Sequence, residues 1–208
     1  MCCITPSARL RPSPYQEATL AEGATSFTVY NRMLMPTGYG KPEEEYWRLI
    51  RSVSQWDVAV ERQVQLAGLD AARLAQLLCP RDLSKQAVGQ GKYVALCNHD
   101  GVLFADRSLD KRAQDRFWLS ISDSDLLLWA DGIARTMGLD VEVTEPDVSP
   151  LAVQGPRADD VMARVFGDAV RDIKFFRFLP LQFRGHELFV ARTGWSAQGG
   201  FEVYVDDA

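Results

Sequence analysis

Val58-Ala59-Val60-Glu61-Arg62-Gln63-Val64-Gln65-Leu66 sets apolar residues at positions 58, 60, 64 and 66, with only Arg62 breaking the alternation. Period two marks a half-buried strand, because successive side chains of an extended chain point to opposite faces. Residues 71–79 then change to a helical spacing, carrying Leu74, Leu77 and Leu78 on one side and stopping at Pro80. Asp70 stands where a helix N-cap is wanted.

Beyond that helix, residues 92–97 and 102–105 read as a hairpin, with Asn98-His99-Asp100-Gly101 as its turn and Gly101 supplying the positive φ. Residues 117–122 read as a strand, and Ser122, Asp123, Ser124 and Asp125 offer N-caps to a helix that ends at Met137 with Gly138 as its C′ residue. Strands follow at 141–144, 151–153, 181–184, 188–191 and 201–205, with a helix at 158–166 between them. Upstream, Pro12 and Pro14 mark residues 1–14 as a surface lead-in. Residues 28–31 read as extended, 35–40 as a loop, and 43–53 as helical. Strands and helices alternate irregularly, and several strands are joined by tight turns. The pattern predicts an α+β fold with mixed, largely antiparallel sheets and packed helices.

With 208 residues, 47% hydrophobic and 25% charged, the composition is that of a globular protein with a sizeable core. The net charge of -5 comes without a basic stripe, which argues against nucleic acid as a partner. Apolar runs such as 126–130 fall far short of the ~20 residues of a membrane helix, so no membrane role is expected and a cytoplasmic location is. Cys2, Cys3, Cys79 and Cys97 make no spaced framework; with His99 and His186 alone beside them, no metal site is expected and the thiols are read as reduced.

Four segments together resemble the glycine-cleavage T-protein (aminomethyltransferase) family: residues 57–64 with 68–78, residues 98–106, Leu151-Ala152-Val153-Gln154-Gly155-Pro156, and residues 192–202. The details are closer to the dimethylsulfoniopropionate demethylase branch. Asp57-Val58-Ala59-Val60-Glu61 stands where the T-protein has Asp-Val-Ser-His-Met, Ala105-Asp106 where it has paired aspartates, and Ser196-Ala197-Gln198-Gly199-Gly200 where it has Thr-Gly-Glu-Asp-Gly.

The resemblance implies a tetrahydrofolate-dependent methyltransferase that moves a methyl group from a small sulfonium or related donor to folate N5. Aminomethyl transfer in glycine cleavage and a non-catalytic folate-binding fragment or helper are the alternatives. It implies Tyr93, Ser120, Gln198 and Glu202 as folate ligands, Tyr30, Lys92, Trp195 and Tyr204 as donor-binding residues, and Asp106 as the catalytic residue that hydrogen-bonds folate or orients the reacting nitrogen. Family members continue past the length of this chain. Residues 1–208 are therefore expected to be a folate-binding region that stops before the rest of the cavity and the C-terminal barrel, with self-association or a second chain completing the fold.

The residue types suit that chemistry. A sulfonium leaves as a neutral sulfide and the folate nitrogen owns its lone pair, so no protein nucleophile is needed. Alignment contributes about 7 kcal/mol, and aromatic faces stabilise an onium cation by about 0.5 to 2 kcal/mol each. Gln198 can both accept from and donate to a pterin edge. Alternation in Phe201-Glu202-Val203-Tyr204 puts Glu202 and Tyr204 on one strand face. Each residue also has a plainer reading: the aromatics as core, Lys92 and Asp106 as solvated turn neighbours, Ser120 as a solvent-facing strand residue, Gly194, Gly199 and Gly200 as a bulge, and His99 as a turn residue.

Overall fold

In the computed structural model, which describes residues 7–206, the chain begins with α1 (Gln16–Ala21), β1 (Ser26–Tyr30), β2 (Met33–Gly38), α2 (Pro42–Arg51), β3 (Ser54–Asp57), β4 (Gln63–Ala67) and α3 (Ala71–Leu78). It continues with β5 (Gln90–Cys97), β6 (Leu103–Ala113), β7 (Arg116–Ser120), α4 (Leu126–Thr136), β8 (Glu142–Thr144), β9 (Val148–Gln154) and α5 (Ala158–Phe166). A 3-10 helix at Asp168–Asp172 leads to β10 (Phe178–Phe183), β11 (His186–Ala191) and β12 (Gly200–Asp206). Strands β10-β11-β12-β9-β3 form one sheet, β5-β6-β7-β4-β8 a second, and β1-β2 a separate hairpin. Every strand pairing within them is antiparallel, so the α+β expectation holds.

The stretch at 58–66 is not one strand. Asp57 ends β3 in the first sheet, its Oδ1 accepting the Ala59 N–H at 3.1 Å, while Glu61 N–H bonds the Val58 carbonyl at 2.8 Å. This turn carries the chain into the second sheet at Gln63. Ala59 and Val60 are buried within it, and that is why the apolar alternation, interrupted only at Arg62, reads through a change of direction.

Each sheet has one apolar face covered by helices. Behind the second sheet, Val64, Leu66, Val94, Leu96, Leu109, Phe117 and Leu119 pack against Ala71, Leu74, Ala75 and Leu78 of α3 and Leu126, Ala130 and Ala134 of α4. Positions 71, 74, 75 and 78 are one helical stripe, whereas Leu77, expected on it, is exposed. Behind the first sheet, Val153, Val190, Phe201 and Val203 pack against Ala158 and Met162 of α5 and against Val170 and Ile173. Between the sheets lies a smaller aromatic cluster of Trp118, Phe178, Tyr204 and Phe189.

Other expectations are corrected. The expected loop at 35–40 begins as strand, since β2 runs to Gly38 against β1. Asp70 gives α3 no side-chain cap; its Oδ2 accepts Asp140 N–H at 2.9 Å instead. Asp123 and Asp125 do not cap α4 either. They hold the β1-β2 turn, Asp123 accepting Asn31 N–H at 2.9 Å and Asp125 pairing with Arg32. Gly138 closes α4 as expected, with φ +62° and Leu139 N–H bonded to the Ala134 carbonyl. The second sheet's hairpin turn is also as read, Asn98 Oδ1 accepting from Asp100 and Val102. Yet β6 continues well beyond Ala105, to Ala113.

Cys79 and Cys97 are free thiols, and Cys2 and Cys3 lie outside the described residues. Among the described residues, no helix is long and apolar enough to cross a membrane, and no three His, Cys, Asp or Glu side chains group to hold a metal ion.

Candidate functional site

The faces that the two sheets turn toward one another are polar where a core would be apolar. From the second sheet come Gln63, Asp110 and Ser120, all buried; from the first come Glu202 and Tyr204. Alternation produces this. Leu66, Phe117 and Leu119 face the helices, so Gln65, Trp118 and Ser120 must face inward. Phe201 and Val203 face α5, so Glu202 and Tyr204 share the inner face, as the sequence indicated.

Three hydrogen-bonded groups make up the layer. Glu202 Oε2 accepts from Thr193 Oγ1 at 2.6 Å and from Tyr204 OH at 3.3 Å, while Oε1 takes no hydrogen bond from a described residue. Ser120 donates to Gln63 Oε1 at 3.0 Å. Arg107 donates to Tyr30 OH at 2.7 Å, pairs with Glu61 Oε1 at 3.2 Å, and has its guanidinium carbon 6.0 Å from the Trp195 ring centroid.

Burial dominates the electrostatics. It pushes Glu61 up to about 7 against the opposing pull of Arg107, and Asp110 up to about 6 against the Ser108 hydroxyl; Glu202 raises both. Glu202 is itself raised by burial, with Thr193, Tyr204 and Arg107 acting the other way. Burial, with Glu202 and Asp110 adding to it, drives the Tyr204 phenol well above its ordinary value. For Arg107 burial opposes the charge, but Glu61, Tyr30 and Glu202 outweigh it and the guanidinium is held more firmly protonated.

The residues singled out in the sequence are therefore only partly brought together. Tyr30 and Trp195 meet at Arg107, and Glu202, Tyr204 and Ser120 lie one layer deeper, where Tyr204 packs on Trp118 with ring centroids 6.0 Å apart. Trp195 is 72% exposed and Tyr204 2%, so these two aromatics occupy the mouth and the floor rather than one wall. Tyr93 donates to Asp106 on neighbouring strands, and that carboxylate raises the phenol's pKa. Lys92 alternates with Tyr93, sharing its face with Val94 and Leu96, and donates to the Asp82 carbonyl at 2.7 Å. Gln198 sits in the β11-β12 connection with its N–H on Ser196 Oγ at 3.2 Å.

Glu61, Arg107, Asp110 and Thr193 were not anticipated. For Asp110 a signal existed, because Asp106, Ser108 and Asp110 alternate along β6; ending that strand at 105 concealed it. Two surface hollows lie elsewhere: one of about 780 Å³ along α2, including Trp47 and Arg51, and one of about 420 Å³ bordered by Arg11, Arg62 and Glu145.

Comparison with known proteins identifies the family. The chain is 52% identical over 206 residues to dimethylsulfoniopropionate demethylase DmdA of Ruegeria pomeroyi, covering 99% of this chain and 57% of that protein. It is 30% identical over 200 residues to an aminomethyltransferase of Porphyromonas gingivalis, covering 94% and 54%. The crystal structure of glycine cleavage system aminomethyltransferase T from Bartonella henselae superposes with a TM-score of 0.82 at 22% identity, over 95% of this chain and 54% of that one. This chain thus spans about half the length of the relatives it matches. Residues 15–208 match the GCVT N-terminal domain, and the chain belongs to that family.

Proposed function

We propose that this chain is the folate-binding region, residues 1–208, of a tetrahydrofolate-dependent methyltransferase resembling dimethylsulfoniopropionate demethylase. It moves a methyl group from a small sulfonium or related donor to folate N5, in the cytoplasm. The observation that carries the reading is the half-buried Glu202, with one oxygen engaged by Thr193 and Tyr204 and the other taking no bond from a described residue, beside the Arg107, Tyr30 and Trp195 group. A pterin edge presents adjacent amide and amino donors, and a carboxylate oxygen that no described residue engages suits them.

The folate supplies the N5 lone pair that accepts the methyl group. Glu202 orients the ring, with Ser120, Tyr93 and Gln198 as further polar contacts. Trp195 and Tyr30 offer aromatic faces to the donor's cationic centre, with Tyr204 below them. Asp106 completes the proposed set, orienting the reacting nitrogen; Lys92, expected to meet the donor's carboxylate, instead shares the strand face of Val94 and Leu96 and is engaged by the Asp82 carbonyl, so it is left out of the set. Alignment is the main catalytic contribution, because the leaving sulfide is neutral.

The test is incubation with tetrahydrofolate and a panel of sulfonium, betaine and glycine-type donors, with 5-methyl-tetrahydrofolate as the readout. Trp195→Ala should abolish methyl transfer while folate binding falls much less; equal loss of both counts against the assignment. Ammonia release only when a lipoylated carrier is added would transfer the reading to aminomethyl transfer, the activity named for the P. gingivalis relative.

A further inference from the structure

Trp195 is 72% exposed, so packing of the indole itself does little to place it. The backbone of residues 192–199, which joins β11 to β12, must do so. That backbone closes on one side chain. Gln154, at the end of β9 and 1% exposed, donates from Nε2 to the Thr193 carbonyl at 3.0 Å and to the Phe201 carbonyl at 3.2 Å. Its Oε1 accepts from Ser196 Oγ at 2.9 Å, and the same hydroxyl accepts Gln198 N–H. A single buried amide thus ties both ends of the connection and its middle.

The glycines of the connection are shaped around that amide. At Gly194, φ +154°, a Cβ would stand 2.0 Å from Gln154 Oε1; at Gly200, φ +139°, it would stand 2.2 Å from the Val153 carbonyl oxygen. A triply bonded buried amide cannot withdraw to make room. Ala197, at φ +59°, is held in the left-handed region within the same short span.

We infer that Gln154 is the positioning residue for Trp195, fixing the indole at the mouth of the site through the 193–201 backbone and the Ser196 hydroxyl. This rests on the methyltransferase reading for its consequence, the donor's KM, but not for its geometry. Gln154 touches no proposed ligand and acts only through the loop.

The two claims separate experimentally. In protein labelled with 5-fluorotryptophan, the Trp195 resonance is assigned by its loss in Trp195→Phe. In Gln154→Leu, and in Ser196→Ala, which cuts only the half-buried hydroxyl arm, that resonance should move toward the position of free fluorotryptophan. In the donor assay, Ser196→Ala should raise donor KM about tenfold with kcat changed far less, and Ser196→Thr should restore it. An unmoved Trp195 resonance in Ser196→Ala overturns the assignment, whatever becomes of the Gln154→Leu fold. So does a moved resonance with donor KM unaltered. If the resonance moves and no donor yields methylated folate, the clamp stands and the methyl-transfer reading falls.

Discussion

Glu61 shows what a single residue contributes once its surroundings are known. In sequence it is one charge in a run that reads as a strand. In the fold it occupies a buried turn beside Arg107, with burial raising it from 4.5 to about 7. A carboxyl whose folded pKa exceeds its unfolded one favours folding below the unfolded value, and that contribution is lost as pH rises through the folded value. Between pH 4.5 and about 7 the loss is on the order of 3 kcal/mol. Urea midpoints across this range should therefore fall less steeply for Glu61→Gln than for the parent protein, and identical slopes would rule the burial effect out. Arg107 was illegible for a related reason. An arginine following a tight turn reads as solvated, and only the β6-β7-β4 order of the second sheet, together with the docked β1-β2 hairpin, brings Glu61 and Tyr30 to it. Glu202 and Tyr204 were legible because strand alternation is local.

Among the elements, the ones read well are those whose signals are complete within their own residues: α5 at 158–166, the 98–101 turn, and the Gly138 helix stop. Those read poorly depend on distant partners. The capping acids before α4 were assigned to the nearest helix, yet they serve the β1-β2 turn far upstream in sequence, with Asn31 to Asp123 separated by 92 positions. Asn31 secures that hairpin. Its Nδ2 donates to the Val60 and Ile121 carbonyls at 2.9 and 3.0 Å, and its φ of +48° is one that asparagine tolerates better than most residues. Replacing it with alanine orphans two buried carbonyls and should cost about 2 kcal/mol or more. Hydrogen exchange should quicken at β1 and β2 while the β6-β7 amides keep their protection. Uniform quickening would instead mean that the hairpin is integral to the whole fold.

At the scale of the molecule, the two sheets have separate apolar backings and meet through the polar layer, a cluster of aromatic rings and the Arg112 cation. The Arg112 guanidinium lies 3.7 Å from the Trp118 centroid in the second sheet and 3.1 Å from Phe189 in the first, and its burial lowers its pKa to about 10. Arg112→Ala should lower stability by about 2 kcal/mol, and Arg112→Lys should recover only part of this, because a flat delocalised cation fits between rings where an ammonium does not. Equal urea midpoints for the Arg112→Lys variant and the parent would show that charge alone suffices. The passage at 58–62, where the chain leaves the first sheet, has an outcome of its own. Strands β4 to β8 complete the second sheet before β9 has been made, so on the ribosome β3 emerges early and has no partner until Val148 and the residues after it arrive. For the time taken to synthesise the intervening chain, Trp56 and its neighbours wait with their backbone amides open. Slowing translation after residue 144 would prolong that exposure, making misassembly of the nascent chain a hazard set by elongation speed.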